Sequence, residues 1–239
     1  MIAELYDRIM NHVNYGSWAE YMSALFRRFH PGARSVLEVA CGTGSLALLL
    51  CASGYELTCM DQSPEMLRVA MDKFRNVGRR AWFVAGSMTD LPFAANFHAV
   101  ISIYDSVNYL MNITDFKRAI RETALVTEEG GLFIFDVCTV RNSELFFRDG
   151  GMFETYDDIS YERICRYHSR TRIQENRFVI SRNGKTLGIE RHRQRIYYLE
   201  EIAGMFEDSP FREVGRFDDM SFSPGTENSD RVHFVFRKG

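Results

Sequence analysis

A glycine-rich segment flanked by two carboxylates is the first feature of the sequence that could do chemistry. Gly42 and Gly44 follow the apolar stretch at residues 35–39, with Glu38 before them and Asp61 after them. Glycine lets bare backbone approach a ligand closely, and a Gly-x-Gly-x-x-Ala pattern after a strand is typical of nucleotide-binding loops. Taken alone, the pattern fits a dinucleotide, with Asp61 at the spacing expected for a ribose contact.

The charge of Glu38 separates two kinds of ligand for this loop. A dinucleotide would place its anionic pyrophosphate at the loop and at the N-terminus of the following helix. A carboxylate three residues before Cys41 would repel that anion, whereas it would attract a ligand with a cationic head and no phosphate. The sequence therefore favours a cationic ligand, with an NAD(P)-dependent oxidoreductase as the alternative.

A second group of reactive side chains lies in "IYDSVNYL", residues 103–110, where a fourth strand is predicted to end. Asp105 is the candidate general base, and Asn108 and Tyr109 are candidates for positioning a substrate. The structural alternatives are that Asp105 caps the following helix and that Tyr109 packs in the core. No nucleophile elbow and no paired-carboxylate motif accompanies them.

Alternating strands and helices must position these residues. Five apolar strand segments alternate with helical segments up to about residue 138, and two terminal strands follow a last helix. Ser63 and Pro64 mark a clear helix start after the second strand. This pattern predicts an α/β fold with a Rossmann-like, doubly wound, mostly parallel seven-stranded sheet and an antiparallel terminal pair.

The domain organisation follows from a change of pattern in the second half. Residues 150–198 contain several strand segments and the hairpin signal Asn183-Gly184. We expect a single domain over residues 1–239, a helical cap at 1–30 and an antiparallel β insert at 150–198.

Composition excludes several classes of function. The chain has 239 residues, 46% hydrophobic and 26% charged, with a formal net charge of −3, and these values are ordinary for a globular protein. No apolar run reaches the ~18 residues of a membrane span. Five scattered cysteines form neither a disulfide framework nor a metal-ligand spacing. We expect a cytoplasmic monomer or homodimer without metal, and neither nucleic acid nor membrane as a partner.

The motifs in order resemble the class I S-adenosylmethionine (SAM)-dependent methyltransferases, in particular the small-molecule branch that includes sugar N,N-dimethyltransferases and glycine N-methyltransferase. The resemblance is carried by "LEVACGTGSLA", "MDQSPEML", "GSMTDLPF", "YDSVNYL" and "EGGLFIFDV", and by an N-terminal "YDRIMNHVNYGSWAEYM" similar to the family's tyrosine-bearing cap. It implies SAM as methyl donor, S-adenosylhomocysteine as product and in-line transfer to an N or O nucleophile. The implied cofactor contacts are Tyr15, Trp18, Glu38, Ala40, Cys41, Gly42, Gly44, Asp61, Gln62, Met66, Ser87, Met88 and Asp105.

One position departs from the family pattern. Where an Asp is common and reads the adenine amino group, this sequence has Ser87, which accepts one hydrogen bond. Adenine recognition is then expected to be weaker there or shifted to the backbone. The departure gives some weight to a non-catalytic SAM-binding protein as a further alternative.

The β insert resembles a sheet that covers the substrate pocket in this branch. Tyr6, His192 and Arg195 are the candidate substrate contacts, and the acceptor is a small molecule. Nine arginines and one lysine between residues 163 and 195 follow an acidic run at 149–162. They suit an anionic substrate, although a solvated face neutralised by the acidic run is the favoured interpretation. That acidic run consists of Asp149, Glu154, Asp157, Asp158 and Glu162.

Overall fold

The computed structural model describes residues 2–94, 96–156 and 158–239, so Met1, Ala95 and Asp157 lie outside the described residues. The strands are β1 Ser35–Val39, β2 Glu56–Asp61, β3 Trp82–Ala85, β4 Phe97–Ser102, β5 Thr127–Cys138, β6 Asp149–Tyr156, β7 Ile159–His168, β8 Ile173–Arg182, β9 Lys185–Arg195, β10 Phe211–Asp218 and β11 Arg231–Lys238. The helices are α1 Ile2–Ile9, α2 Tyr15–Phe29, α3 Ser45–Ala52, α4 Pro64–Asn76, α5 Ile113–Val126, α6 Val140–Phe146 and α7 Leu199–Met205, with a 3₁₀ turn at Ser106–Tyr109.

The larger sheet has seven strands in the order β10-β11-β5-β4-β1-β2-β3. The five strands from β5 to β3 are parallel, and β11 pairs antiparallel with both β5 and β10. This confirms the predicted α/β class, the seven strands and the antiparallel terminal pair. The strand order reverses between β1 and β4, and ligands of such sheets bind outside the carboxyl ends of the strands at that point.

Apolar packing on both faces fixes the sheet. Residues 36–39 of β1 are all buried, as expected for a central parallel strand covered on both sides. One face packs against α2 through Trp18, Met22 and Phe26, and the other carries stacked aromatic side chains that include Phe135 and Phe206. Glu38 is therefore a single carboxylate within an otherwise apolar buried strand.

The smaller sheet is antiparallel with the order β6-β7-β8-β9. Asn183 and Gly184 join β8 to β9 with φ values of 48° and 75°, which confirms the predicted two-residue hairpin. The helix α6 that precedes this sheet was not predicted. It begins where the Thr139 side chain accepts a hydrogen bond from the backbone N–H of Asn142.

The N-terminal segment contains two helices, and the second begins earlier than the sequence predicts. A fresh start is expected near Gly16 and Ser17, but α2 starts at Tyr15 because the Asn14 side chain accepts a hydrogen bond from the Ser17 N–H at 3.1 Å. The predicted start of α4 is confirmed, with Ser63 Oγ accepting the Met66 N–H at 3.2 Å. Within the described ranges, no helix is long and apolar enough to cross a bilayer.

Candidate functional site

The glycine loop joins β1 to α3 in an unusual backbone conformation. Ala40, Gly42 and Gly44 all have positive φ, at 59°, 55° and 70°, a region that favours glycine. A Cβ at Gly44 would lie 3.0 Å from the Cβ of Ala70 on α4, so a side chain there would require α4 to shift by a few tenths of an ångström. The sequence thus needs glycine at position 44 for packing and at position 42 for the turn.

Asp61 holds this loop at the end of β2. Its Oδ2 accepts the Gly42 N–H at 2.8 Å and its Oδ1 accepts the Ser63 N–H at 2.9 Å. Burial raises the pKa of Asp61, and these backbone hydrogen bonds oppose the rise. The carboxylate therefore fixes the loop against the start of α4, and each oxygen retains a second lone pair.

Glu38 is the least compensated charge of the site. Its side chain is 4% exposed, and its Oε2 has no hydrogen-bond partner among the described residues. Burial, together with the charge of Asp61, raises the pKa of Glu38 to about 8. A buried carboxylate with a free oxygen disfavours an anion and is stabilised by a cation placed beside it.

A cavity of about 690 Å³ connects Glu38 with the inner face of the smaller sheet. The glycine loop and the turn after β4 form one wall, and residues of β6, β7, β8 and β9 form the opposite wall. Its volume lies within the ~300–1,000 Å³ typical of small-molecule sites. The predicted site residues that line it are Tyr6, Tyr15, Trp18, Glu38, Ala40, Cys41, Gly42, Asp105, Tyr109 and His192.

Helix α1 closes one side of this cavity. Its Asp7 forms an ion pair with Lys73 of α4 at 2.8 Å and accepts a hydrogen bond from Thr43 of the glycine loop at 2.6 Å. On the smaller sheet, Leu5 and Ile9 pack in one cluster with Ile180. Helix α1 thus contacts both walls of the cavity.

The remaining predicted site residues lie outside the lining of this cavity. Met66 packs beside the α1 cluster, Met88 packs against the main core, and Gln62 donates to Ser87 at 3.1 Å. The full set is Gly44, Asp61, Gln62, Met66, Ser87, Met88, Asn108 and Arg195.

Asn108 and Arg195 take part in contacts between the end of β5 in the larger sheet and the end of β9 in the smaller sheet. Asn108 is fully buried, and its amide donates to the Arg195 carbonyl at 2.8 Å and accepts the Cys138 N–H at 3.2 Å. The Arg195 guanidinium lies over the Tyr197 ring at 5.3 Å. Neither side chain is in the lining of the cavity. A positioning role for Asn108 and a substrate contact at Arg195 stay predictions.

Asp105 lines the cavity but is not a free carboxylate. Arg231 donates to its Oδ1 at 2.8 Å, and Gln194 donates to its Oδ2. Arg231 also pairs with the fully buried Asp136, which accepts the backbone N–H of Tyr104 and of Asp105. The candidate general base is thus part of a compensated network, because its oxygens are engaged in ionic and polar contacts.

The network partners of Asp105 were missed by sequence reasoning. Asp136 is a single acidic residue in the apolar strand "LFIFDV", which is a signal that the sequence does offer. Arg231 is 126 residues from Asp105, and nothing in the sequence indicates that the two residues pair.

A second polar pair lies near Asp105. The Tyr109 hydroxyl lies 2.9 Å from His192 Nδ1, and His192 Nε2 lies 3.5 Å from Glu190. Both Tyr109 and His192 line the cavity.

Comparisons with known proteins show that this chain is similar to methyltransferases. Residues 36–131 match the model of a methyltransferase domain. A putative methyltransferase of Geobacillus sp. (strain WCH70) is 28% identical over 98% of this chain and 96% of its own. The dTDP-3-amino-3,6-dideoxy-alpha-D-glucopyranose N,N-dimethyltransferase of Streptomyces fradiae is 30% identical over 56% of this chain and 52% of its own.

The fold has a solved counterpart. A crystal structure of a SAM-dependent methyltransferase from Clostridium acetobutylicum ATCC 824 superimposes with a TM-score of 0.87 and 22% identity, covering 100% of this chain and 98% of that one. This chain has the α/β fold of the class I methyltransferases. The methyltransferase domain matched over residues 36–131 and the methyltransferase relatives support a SAM-dependent methyltransferase and argue against the oxidoreductase interpretation.

Proposed function

We propose that the protein transfers the methyl group of SAM to the N or O nucleophile of a small molecule bound under the smaller sheet. The observation that carries this proposal is the cavity itself, which is shared by Glu38, whose Oε2 has no hydrogen-bond partner among the described residues, and by polar side chains of β7, β8 and β9. The end of the cavity at Glu38 suits a cationic donor, and the end at the smaller sheet suits a polar acceptor. Since methyl transfer needs donor and acceptor in one water-poor space, a shared cavity favours it.

Glu38 and the glycine loop hold the donor. The ionised Glu38 carboxylate compensates the positive charge of the methionine end, and the backbone of the loop allows close approach. The second lone pairs of Asp61 accept the ribose hydroxyls, while Gln62, Met66, Ser87 and Met88 lie near the ends of β2 and β3 for the adenine. When bound, SAM supplies an electrophilic methyl group on a sulfonium.

The cap at residues 1–30 and the insert at residues 150–198 enclose the acceptor. The contacts of α1 with both walls support a covering role for the cap. Tyr15 and Trp18 line the cavity from α2, where they exclude water from the donor. The Streptomyces fradiae relative is named for a dTDP-linked amino sugar, which supports a small molecule with an amino group as the acceptor.

Tyr109 and His192 handle the proton of the acceptor. With the imidazole proton on Nε2, His192 Nδ1 accepts from the Tyr109 hydroxyl across 2.9 Å, which leaves the phenol oxygen lone pairs for the acceptor N–H or O–H. The acceptor proton passes to the phenol oxygen as the phenol proton passes to Nδ1. Asp105 keeps its place in the network with Arg231 and holds the turn that carries Tyr109.

Calorimetry tests the donor part of the proposal directly. We expect the wild type to bind SAM and S-adenosylhomocysteine but not NAD(H), and Glu38→Gln to weaken SAM binding at least tenfold, about 1.4 kcal/mol. Glu56→Gln, an exposed residue at the start of β2, is the matched control. Binding of NAD(H) without either SAM or S-adenosylhomocysteine would refute the proposal.

The transfer itself is tested with labelled methyl donor and a panel of small amines and alcohols. A labelled product whose formation falls in Tyr109→Phe supports the proton path. Tight SAM binding with no product from any amine or alcohol of the panel would favour the non-catalytic alternative.

A further inference from the structure

The inner face of the smaller sheet is polar where a sheet over a core is normally apolar. Gln174, Asn176 and Gln194 are 1%, 5% and 4% exposed. Gln174 donates to Gln194 at 3.0 Å and accepts from Ser143 of α6 at 2.9 Å. Buried amides that satisfy one another cost stability relative to apolar residues and specify a fixed surface.

Arg163 of β7 is held rigidly on this surface. Its Nε donates to the Oδ1 of the buried Asn176 at 3.0 Å. Its guanidinium lies 5.0 Å from the centre of the Phe147 ring and 5.8 Å from that of Phe178. The side chain lines the cavity, so its remaining N–H donors are available to whatever enters.

The other arginines of this part of the chain have carboxylate partners or face away. Arg166 pairs with Asp149 and Arg182 pairs with Asp158, so much of the basic run is neutralised as a solvated face, as the sequence favours. In the cavity wall, Arg231 is compensated by Asp105 and Asp136.

Arg163 differs from them because it lines the cavity, and no carboxylate lies within 4.0 Å of its guanidinium in the part of the chain that the structure describes. Two acids lie on the same face of the sheet. Glu154 also lines the cavity and is opposite Tyr161, diagonal to Arg163, and Glu190 lies opposite Phe178 and 3.5 Å from His192. A preorganised guanidinium without a carboxylate partner presents a planar fork that matches an oxyanion.

We propose that Arg163 binds a carboxylate or phosphate group of the methyl acceptor. This inference rests on the proposed function, since it assumes that the acceptor occupies the cavity beside the donor. The acceptor class is then a small amine or alcohol that also carries an oxyanion. The two charged ends of the cavity are divided between the ligands, with Glu38 serving the cationic donor and Arg163 the anionic group of the acceptor.

The test compares matched probes by calorimetry, with and without saturating S-adenosylhomocysteine. The probes are inorganic phosphate, 4-aminobutyrate against butylamine, and O-phosphoethanolamine against ethanolamine. The carboxylate and phosphate pairs show which oxyanion is preferred. We expect at least one oxyanion probe to bind the wild type, its neutral or cationic partner to bind at least tenfold more weakly, and Arg163→Gln to lose at least tenfold in affinity for the oxyanion.

Two variants keep the result interpretable. Arg191→Gln removes the same charge from an exposed position on the same sheet, outside the cavity lining, and should bind the probe like the wild type. Arg163→Lys keeps the charge but not the fork, and should fall between wild type and Arg163→Gln. Unchanged affinity for S-adenosylhomocysteine in Arg163→Gln shows that the fold and the donor site are intact.

The outcomes separate this inference from the proposed function. If S-adenosylhomocysteine binds but no oxyanion probe does, or if Arg163→Gln and Arg191→Gln bind the probe equally, Arg163 is not an oxyanion site. If S-adenosylhomocysteine does not bind while an oxyanion binds in a manner that depends on Arg163, the proposed function fails and the anion site stands.

Discussion

Glu38 gives the sharpest test of the site, because its titration is coupled to both stability and donor binding. Burial and the neighbouring Asp61 charge raise its pKa from 4.5 to about 8 in the folded protein. The folded state therefore holds the Glu38 proton at pH values where the unfolded chain has released it. That difference corresponds to a penalty of at most about 5 kcal/mol when the carboxylate is ionised in the fold.

The sign of the effect follows from the direction of this pKa change. Between pH 4.5 and about 8, stability falls as pH rises, and the whole penalty is present above pH 8. Glu38→Gln removes the titration, so its stability relative to wild type should improve steadily across this range and then level off. Urea unfolding of both proteins, with Glu56→Gln as control, measures the difference.

Donor binding should show the reverse dependence on pH. With a pKa of about 8, only about 1% of Glu38 is ionised at pH 6, so the affinity for SAM should be roughly 100-fold weaker there than above pH 9. SAM has its own titratable amino group, and Glu38→Gln reports that contribution alone. The stability difference between wild type and Glu38→Gln and the ratio of their SAM affinities should both change with pH. If both stay constant from pH 5 to 9, the raised pKa of Glu38 is refuted.

Three further changes test the supports of the site. Arg231→Met leaves Asp105 and Asp136 without their shared cation, so urea unfolding should show a loss of about 3–5 kcal/mol in the free energy of unfolding. Arg193→Met on the exposed outer face should change that free energy little, and equal losses in the two variants would contradict the buried network. Ser63→Ala removes the cap of α4 and should cost about 1 kcal/mol in thermal unfolding, and an unchanged melting temperature would argue against the cap. Asp7→Asn weakens the contacts with Lys73 and Thr43, so amide hydrogen exchange should accelerate in α1 with little change in global stability. Unaltered exchange would mean that apolar packing alone holds α1.

Local signals in the sequence predicted the elements that depend on neighbours along the chain. The start of α4 at Ser63 and Pro64 and the hairpin at Asn183 and Gly184 follow from the intrinsic geometry of those residues. The position of Glu38 three residues before Cys41 likewise predicted a carboxylate beside the ligand loop. These features need no knowledge of the tertiary structure.

Contacts between distant parts of the chain could not be obtained in this way. Asp105 stands out in the sequence as a candidate base, but the partner that compensates it comes from β11, at the far end of the chain. Arg163 is one of nine arginines in its segment. Only the strand register, which sets Arg163 opposite Met152 and Phe178 on the inner face, separates it from the paired arginines outside.

The strained turn after β4 shows how the Asp105 carboxylate, which lines the cavity, is tied to the fold. Tyr104 and Asp105 both have positive φ, at 62° and 52°, a conformation that costs free energy for residues other than glycine. Asp136 accepts the backbone N–H of both residues, and the Asp105 side chain binds Arg231 on one sheet and Gln194 on the other. The turn is thereby the joint between the two walls of the cavity. Because the Asp105 carboxylate is held by these contacts, we propose that the proton of the acceptor is taken by Tyr109 and His192, which lie 2.9 Å apart.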